Sequence, residues 1–534
     1  MIWFSVAALC IVLPRIEGSP EFPPEFKFGA ATSSYQIEGG WDADGKGPSI
    51  WDKLLHSSDN IYKQETGDVA ADSYHQWRQD VKAAAELGLN FYRFSISWPR
   101  ILPNGWTDVI NEAGVKYYSD LIDGLLAENI EPVVTMYHWD LPVALQDLGG
   151  WTNPLIVHWF GEYARVLYSL YGDRVKNWIT INEPTVVCDF NYNYGTFAPK
   201  IQEAKFAPFL CNKYVLLAHA KAYRIFDEEF RPTNDGTISV ANHIMWIEPE
   251  TPEEEKLAEL GRQFMIGRYA HPIFSKEGGW PETVEKKMKE VSMKEGYDES
   301  RLPTFTKEEK EFIKGTADMF SFNHYTTSMI RSARADETPG TWFIEGSKEL
   351  NAVMVPPPNA TYGALKIMPI YPKGIRRLVN WLKDQYGDIE IFITENGVAT
   401  AGYDLMDHIR VDYISQYLDQ LLLAIREDGV RITGYTVWSL IDNFEWFDGY
   451  KTKFGLYQVN YEDPNRARTP RLSAHHYACI IRHRRLDYPP SCLEPHHEMT
   501  KRKNKSTIRQ KIEETKSKLM HYYGRLRNYF MDVQ

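Results

Sequence analysis

A single α/β domain closed as a (β/α)8 barrel with long βα loops is the fold this sequence predicts, on three observations. Short apolar runs alternate with amphipathic helical stretches along most of the 534 residues, an order that calls for a parallel sheet covered by helices. Eight such runs occur, which fits a closed barrel better than an open sheet. Polar and aromatic residues stand directly after the runs, where a barrel gathers its strand ends at one mouth.

The runs follow in order. Phe28 to Tyr35 is the first. Tyr74, Trp77, Val81 and Ala84 then fall at helical spacing, and Gly88 stops that helix before the second run, Phe91 to Ile96. Val133 to Tyr137 is the third, and Gly172 precedes the fourth, Trp178 to Ile181. Ile238 to Asn242 and Met319 to Asn323 are the fifth and sixth, and Gly387 precedes the seventh, Ile391 to Thr394. Val411, Ile414, Leu418, Leu421 and Ile425 mark a further helix, ended by Gly429 before the eighth run, Ile432 to Leu440. The fold expected is thus one TIM barrel, placed over residues 19–490.

The flanks differ from it. Ile2 to Leu13 is apolar but too short to span a bilayer, and Ser19-Pro20 opens a polar turn, so residues 1–18 are expected to be a signal peptide and the protein to be secreted. Residues 491–534 form a basic tail, helical or loosely ordered, with ten Lys or Arg against three acidic residues from Lys501 onward. A solvated helix is the simplest use for it, and contact with a membrane surface is the alternative. Asn359-Ala-Thr and Asn504-Lys-Ser are N-glycosylation sequons for a secreted chain. Of the five cysteines, Cys10 leaves with the signal peptide, and the pairing of Cys188, Cys211, Cys479 and Cys492 stays open.

Composition and motifs exclude several classes. A net charge of −12 argues against a nucleic-acid partner. There is no CxxC or HExxH, no GxGxxG after a strand and no GxxxxGK, so neither a metal site nor a cofactor is expected.

The strand ends carry the chemistry. Run four ends in Thr180-Ile-Asn-Glu-Pro184 and run seven in Ile393-Thr-Glu-Asn-Gly397. Each puts a glutamate straight after a buried run, where an unpaired carboxylate is costly. Two carboxylates at one mouth suit glycosidic cleavage, one to protonate the leaving oxygen and one to face the anomeric carbon. Ser33 to Glu38, Arg93 to Trp98, Tyr137-His-Trp139, Asn323-His-Tyr325 and Trp438 to Trp446 add amide, imidazole, carboxylate and indole groups. Sugars present hydroxyl rims and apolar C–H faces to such groups.

These motifs make the sequence resemble glycoside hydrolase family 1, the β-glucosidase family, with similarity to its insect members including insect myrosinases. The resemblance runs from Phe26 to Ile481 and rests on Phe28-Gly-Ala-Ala-Thr-Ser-Ser-Tyr-Gln-Ile-Glu-Gly39, Asn182-Glu-Pro, Ile393-Thr-Glu-Asn-Gly and the Trp438 to Trp446 run. It implies a retaining glycosidase acting on terminal β-D-glucosyl residues of small β-glucosides or short β-linked oligosaccharides. By position, Glu183 matches the acid/base and Glu395 the nucleophile. Gln36, His138, Asn182, Tyr325, Glu445 and Trp446 match sugar-site residues, and Trp438 matches their stacking platform. Arg93 and Asn323, with Tyr325, match the shell that holds the nucleophile. Arg93 is expected to keep Glu395 ionised, and Glu183 to start protonated. His324 stands where many members have Tyr and is expected to face away from the sugar. Two alternatives stay beside this reading: a myrosinase-type thioglucosidase acting on glucosinolates, and a non-catalytic, klotho-like sugar-binding protein. Asp189, beside Cys188, is expected to disfavour a sulfated leaving group. Oligomeric state is not legible in the residues.

Overall fold

The computed structural model describes residues 21–57, 65–340 and 345–493; the expected signal peptide, the Asn504 sequon and the basic tail from residue 494 lie outside the described residues. Eight parallel strands close one barrel: β1 (Lys27–Ala31), β2 (Phe91–Ser95), β3 (Glu131–Tyr137), β4 (Asn177–Asn182), β5 (Thr237–His243), β6 (Phe320–Asn323), β7 (Ile391–Asn396) and β8 (Ile432–Trp438). They stand around the barrel in chain order, and β1 pairs with both β2 and β8 to shut it. Helices cover the outer face and side chains fill the inner one, so the strands are buried on both faces and read as apolar runs.

The interior is packed, not open. Phe91, Val133, Ile179, Ala241, Met319 and Phe392 form one cluster inside the strands. Gly29 and Gly434 clear room for it: a Cβ there would stand 2.2 Å from the Phe91 ring and 2.4 Å from the Phe392 ring. Arg93 and Thr394 lie two residues beyond Phe91 and Phe392, hence on the same inward face and one layer nearer the C-terminal mouth.

The expected helix from Tyr74 runs Ser73–Leu87 and ends on Gly88 in the left-handed region (φ 72°), a conformation that glycine adopts without a Cβ penalty. The helix expected from Val411 runs His408–Arg426. Strand one differs from expectation and stops at Ala31, with Ser34–Ile37 forming a helical turn. Side chains pull the backbone off the sheet there. The Ser34 N–H donates to Ser95 Oγ (2.7 Å), and its hydroxyl donates to Asp140 (2.8 Å). A second sheet, ordered Trp246–Pro249, Thr327–Ser332, Ala352–Val355, Gly346–Ser347, lies in the long segments around β6. Its strands mix polar and apolar residues, so a search for continuous apolar runs passes over them.

Three features shape the mouth. Strand β7 slips register between Ile393 and Glu395 against β6, and between Ile393 and Asn396 against β8. Strand β4 slips between Ile179 and Asn182 against β5. Irregularities of this kind re-aim side chains, and here they fall on the two strands that lead to Glu183 and Glu395. Third, a Cys188–Cys211 disulfide ties the turn after Glu183 to the helix Ala207–Ile225. Among the described residues, no helix is long and apolar enough to cross a membrane.

Candidate active site

Glu395 lies near the end of β7 and is 4% exposed. Arg93 on β2 donates from Nη1 to Glu395 Oε1 (2.6 Å), and the Tyr325 hydroxyl donates to Oε2 (2.6 Å). Arg93 is itself fixed by Thr135 Oγ1 (2.9 Å), the Thr394 carbonyl (3.0 Å) and Asn182 Oδ1 (2.7 Å). Its fork therefore spans four strands and presents a fixed charge to one carboxylate. Tyr325 stays protonated as a donor, because burial and the neighbouring carboxylates push its hydroxyl well above the usual range.

Glu183 follows β4 directly and is 5% exposed, with its backbone in the left-handed region (φ 49°). Non-glycine residues pay about 1–3 kcal/mol for such conformations, which cluster at functional sites. The side chain that results points at different partners from those of Glu395. Asn323 Nδ2 donates to Glu183 Oε1 (2.8 Å), and His243 Nδ1 stands 3.0 Å from the same oxygen. Thus one glutamate is gripped by a guanidinium and a phenol, the other by an amide and an imidazole.

Electrostatics couples the two. Burial pushes Glu395 up to about 7; Arg93 and the Tyr325 hydrogen bond pull it down, while the Glu183 charge pushes it further up. Arg93 acts on Glu395 in the expected direction, towards the ionised form, while burial and the Glu183 charge oppose it. Of the two carboxylates, only Glu395 accepts from Arg93 and Tyr325, and both bonds favour its charged form.

The other expected residues converge on the same mouth with some changes of role. Asn323 holds Glu183 rather than Glu395; it reaches the nucleophile side only by accepting from the Thr394 hydroxyl (2.7 Å). Asn182 is a hub, accepting from Arg93 and Asn323 (3.0 Å) and donating to His138 Nε2 (3.1 Å). Burial, then Arg93, hold His138 well below the ordinary imidazole range, so its ring is neutral, and its Nδ1 is buried without a partner. Gln36 spends its amide N–H groups on Asn443 Oδ1 (3.1 Å) and the Phe444 carbonyl (2.9 Å). Glu445 is half-buried, with Oε2 sealed from solvent and unpartnered, and burial ahead of Asp448 raises its carboxyl well above the usual range. Buried orphans of this kind call for an explanation.

Aromatic walls complete the mouth. Trp438 packs with Ala31, Tyr325, Ala399 and Phe454, and the His138 ring stacks at 5.8 Å from it. Trp446, in the left-handed region, lies 4.5 Å from Trp51 and 4.7 Å from Trp139. Phe197 stacks on Trp139 at 5.7 Å and approaches Trp446 at 6.3 Å.

Three further residues bear on the reading of the sequence. His324 is fully buried with Nδ1 on the Ile244 carbonyl (2.9 Å) and its ring beside Tyr417, and burial lowers it to about 4. Its side-chain contacts lie away from both carboxylates, as expected, while its backbone N–H donates to the Glu395 carbonyl (2.9 Å). Asp189 does not present a free charge: it is buried and paired with Arg268 at 2.6 Å. The repulsion expected of it towards a sulfated leaving group is therefore corrected. His243 was missed, although it directly follows the fifth apolar run.

Among the described residues, no group of three or more His, Cys, Asp or Glu side chains could hold a metal ion. The family model described as glycosyl hydrolase family 1 matches residues 19–486. The chain is 43% identical to Myrosinase 1 of Brevicoryne brassicae, over 86% of this chain and 98% of that one. It is 42% identical to the cytosolic beta-glucosidase of Cavia porcellus, over 88% and 99% respectively. A solved rice beta-glucosidase mutant in a covalent complex with Glc is 36% identical, with a TM-score of 0.79, over 86% of this chain and 98% of that one.

Proposed function

This chain belongs to glycosyl hydrolase family 1 and is a glycoside hydrolase, and from that premise we propose that it hydrolyses terminal β-D-glucosyl residues of O-glucosides with retention of configuration. The observation that carries the reading is the unequal setting of two buried glutamates at one mouth, Glu395 against Arg93 and Tyr325, Glu183 against Asn323 and His243.

In the first step a Glu395 carboxylate oxygen bonds to the anomeric carbon. The bond from that carbon to the leaving oxygen breaks, its electron pair stays on the oxygen, and Glu183 supplies the proton. In the second step water attacks the glycosyl ester, its proton passes to Glu183, and the Glu395 carboxylate leaves. Two inversions give retention. The orphaned His138 Nδ1 and Glu445 Oε2 are groups that sugar hydroxyls would satisfy, and Trp438 and Trp446 offer faces for the ring's C–H surface.

Thioglucosides are the second reading, favoured by the similarity to Myrosinase 1. A sulfated leaving group calls for a cation, and at the Asp189 position the Arg268 charge is already paired. The proposal is therefore for neutral O-glucosides. Catalytic efficiency on a chromogenic β-glucoside should exceed that on the glucosinolate sinigrin; the reverse order would favour the thioglucosidase. The same reading has the chain secreted and glycosylated at Asn359, which is exposed on a turn (φ 58°).

A further inference from the structure

His243 ends β5 and takes no part in the two displacement steps, yet its Nδ1 lies 3.0 Å from Glu183 Oε1. Asn323 Nδ2 donates to that same oxygen at 2.8 Å. With an amide donor and an imidazole donor both on Oε1, its lone pairs are occupied, and the proton that Glu183 gives to a leaving group has its place on Oε2. This holds for the Nδ1–H tautomer of the neutral ring and for the imidazolium, which donates the same bond with a full charge behind it.

We propose that His243 is a positioning residue for the acid/base: through Oε1 it confines the working proton to Oε2 of Glu183, and through its own charge it sets the upper pH at which Glu183 still donates that proton. The inference rests on the reading of Glu183 as acid/base and adds a residue to it. The ring meets charged or titratable groups from three elements. They are Glu183 after β4, Glu395 on β7 and His324 after β6, whose own Nδ1 is turned to the Ile244 carbonyl. Only the first is in hydrogen-bond contact with it. Burial opposes charge on His243, but Glu183 at 3.0 Å, with a further contribution from Glu395, outweighs burial and holds the imidazole above its ordinary value. A cation so placed favours the ionised form of Glu183, which then loses its acid proton at a lower pH than it would beside a neutral donor. With its side chain still 18% exposed, His243 can exchange protons with solvent.

The test uses the full chain and two glucosides, an alkyl β-glucoside with a poor leaving group and 2,4-dinitrophenyl β-glucoside with a good one. His243→Asn keeps an N–H donor near Oε1 and removes the charge. Its basic limb of kcat/KM on the alkyl glucoside should move about one pH unit upward. His243→Phe removes donor and charge; it should lose ~10–100-fold on the alkyl glucoside and only a few-fold on the dinitrophenyl glucoside. A His243→Asn limb that stays at the wild-type pH overturns the inference, as does an equal loss on both substrates at every pH. Glu183→Gln separates this failure from failure of the underlying reading. If Glu183→Gln spares the good leaving group and cripples the poor one while His243→Asn leaves the limb in place, the acid/base stands and only the role of His243 falls. If Glu183→Gln affects both substrates alike, the acid/base assignment itself is wrong.

Discussion

At the lower end of the barrel Phe91, Val133, Ile179, Ala241, Met319 and Phe392 fill the interior with carbon. Further along the same strands the interior holds Arg93, Asn182, Asn323, Glu183 and Glu395, all buried. The lower layer obeys packing rules, with Phe91 and Phe392 rings 5.0 Å apart and glycines cut to fit them. The mouth departs from those rules at several points. Trp139, Glu183 and Trp446 adopt left-handed backbone, β4 and β7 slip register, and buried polar atoms of His138 and Glu445 go unpartnered. Stability is drawn from one layer and spent in the other.

Substitutions in the two layers should accordingly fail in different ways. The largest effect falls at the mouth: Glu395→Gln keeps the shape but removes the attacking oxygen, and kcat on a chromogenic β-glucoside should fall ~10⁴-fold or more with the thermal midpoint little lowered. Phe91→Ala inverts the pattern. It should cost ~3–5 kcal/mol in denaturant unfolding, while kcat below the melting range falls far less than for Glu395→Gln. Equal damage to turnover in both variants would erase the distinction between the layers.

Asp140 sharpens it, because burial raises this mouth carboxyl to about 7. A carboxyl whose folded value lies above its unfolded value of about 3.9 stabilises the fold most when protonated, and that contribution is lost as pH rises from about 4 through 7. Asp140→Asn should therefore be more stable than the wild type above pH 7, by at most on the order of 4 kcal/mol, and gain nothing at pH 4. Thermal melts at the two pH values decide it; a gain independent of pH would mean that burial of charge is not the cause.

The lower layer was almost wholly legible in the sequence, for a physical reason. Strands buried on both faces are continuous apolar runs, and all eight barrel strands overlap the runs that predict them. Both glutamates were legible as well, since a carboxylate placed straight after such a run is costly without a task. The register slips, the left-handed backbones and the exchange of Asn323 from one glutamate to the other were not, because they arise from contacts between strands far apart in the chain. Arg268 pairs with Asp189 across 79 residues of sequence, so the charge of Asp189 could not be weighed from its neighbours. His243 is the instructive miss. It stands after the fifth run much as Glu183 stands after the fourth, but an imidazole can be buried neutral, so its place lacks the cost that marks a carboxylate.

The smallest effect is expected outside both layers. The barrel's strands and both glutamates precede residue 487, and a chain ending at Leu493 should hydrolyse small glucosides within a few-fold of the full chain. A large loss of turnover with the circular dichroism unchanged would give the tail a part in the site.

The assignment of Glu395 as nucleophile and Glu183 as acid/base is tested most directly by the anomer first released. The double displacement requires the two carboxyls to stand about 5–5.5 Å apart, with no room for an interposed water. Proton NMR during the first turnovers of a β-glucoside should show β-glucose appearing first, with the α-anomer growing in only at the slow rate of mutarotation. Initial release of α-glucose would mean a single inversion by water, and Glu395 would not be the nucleophile.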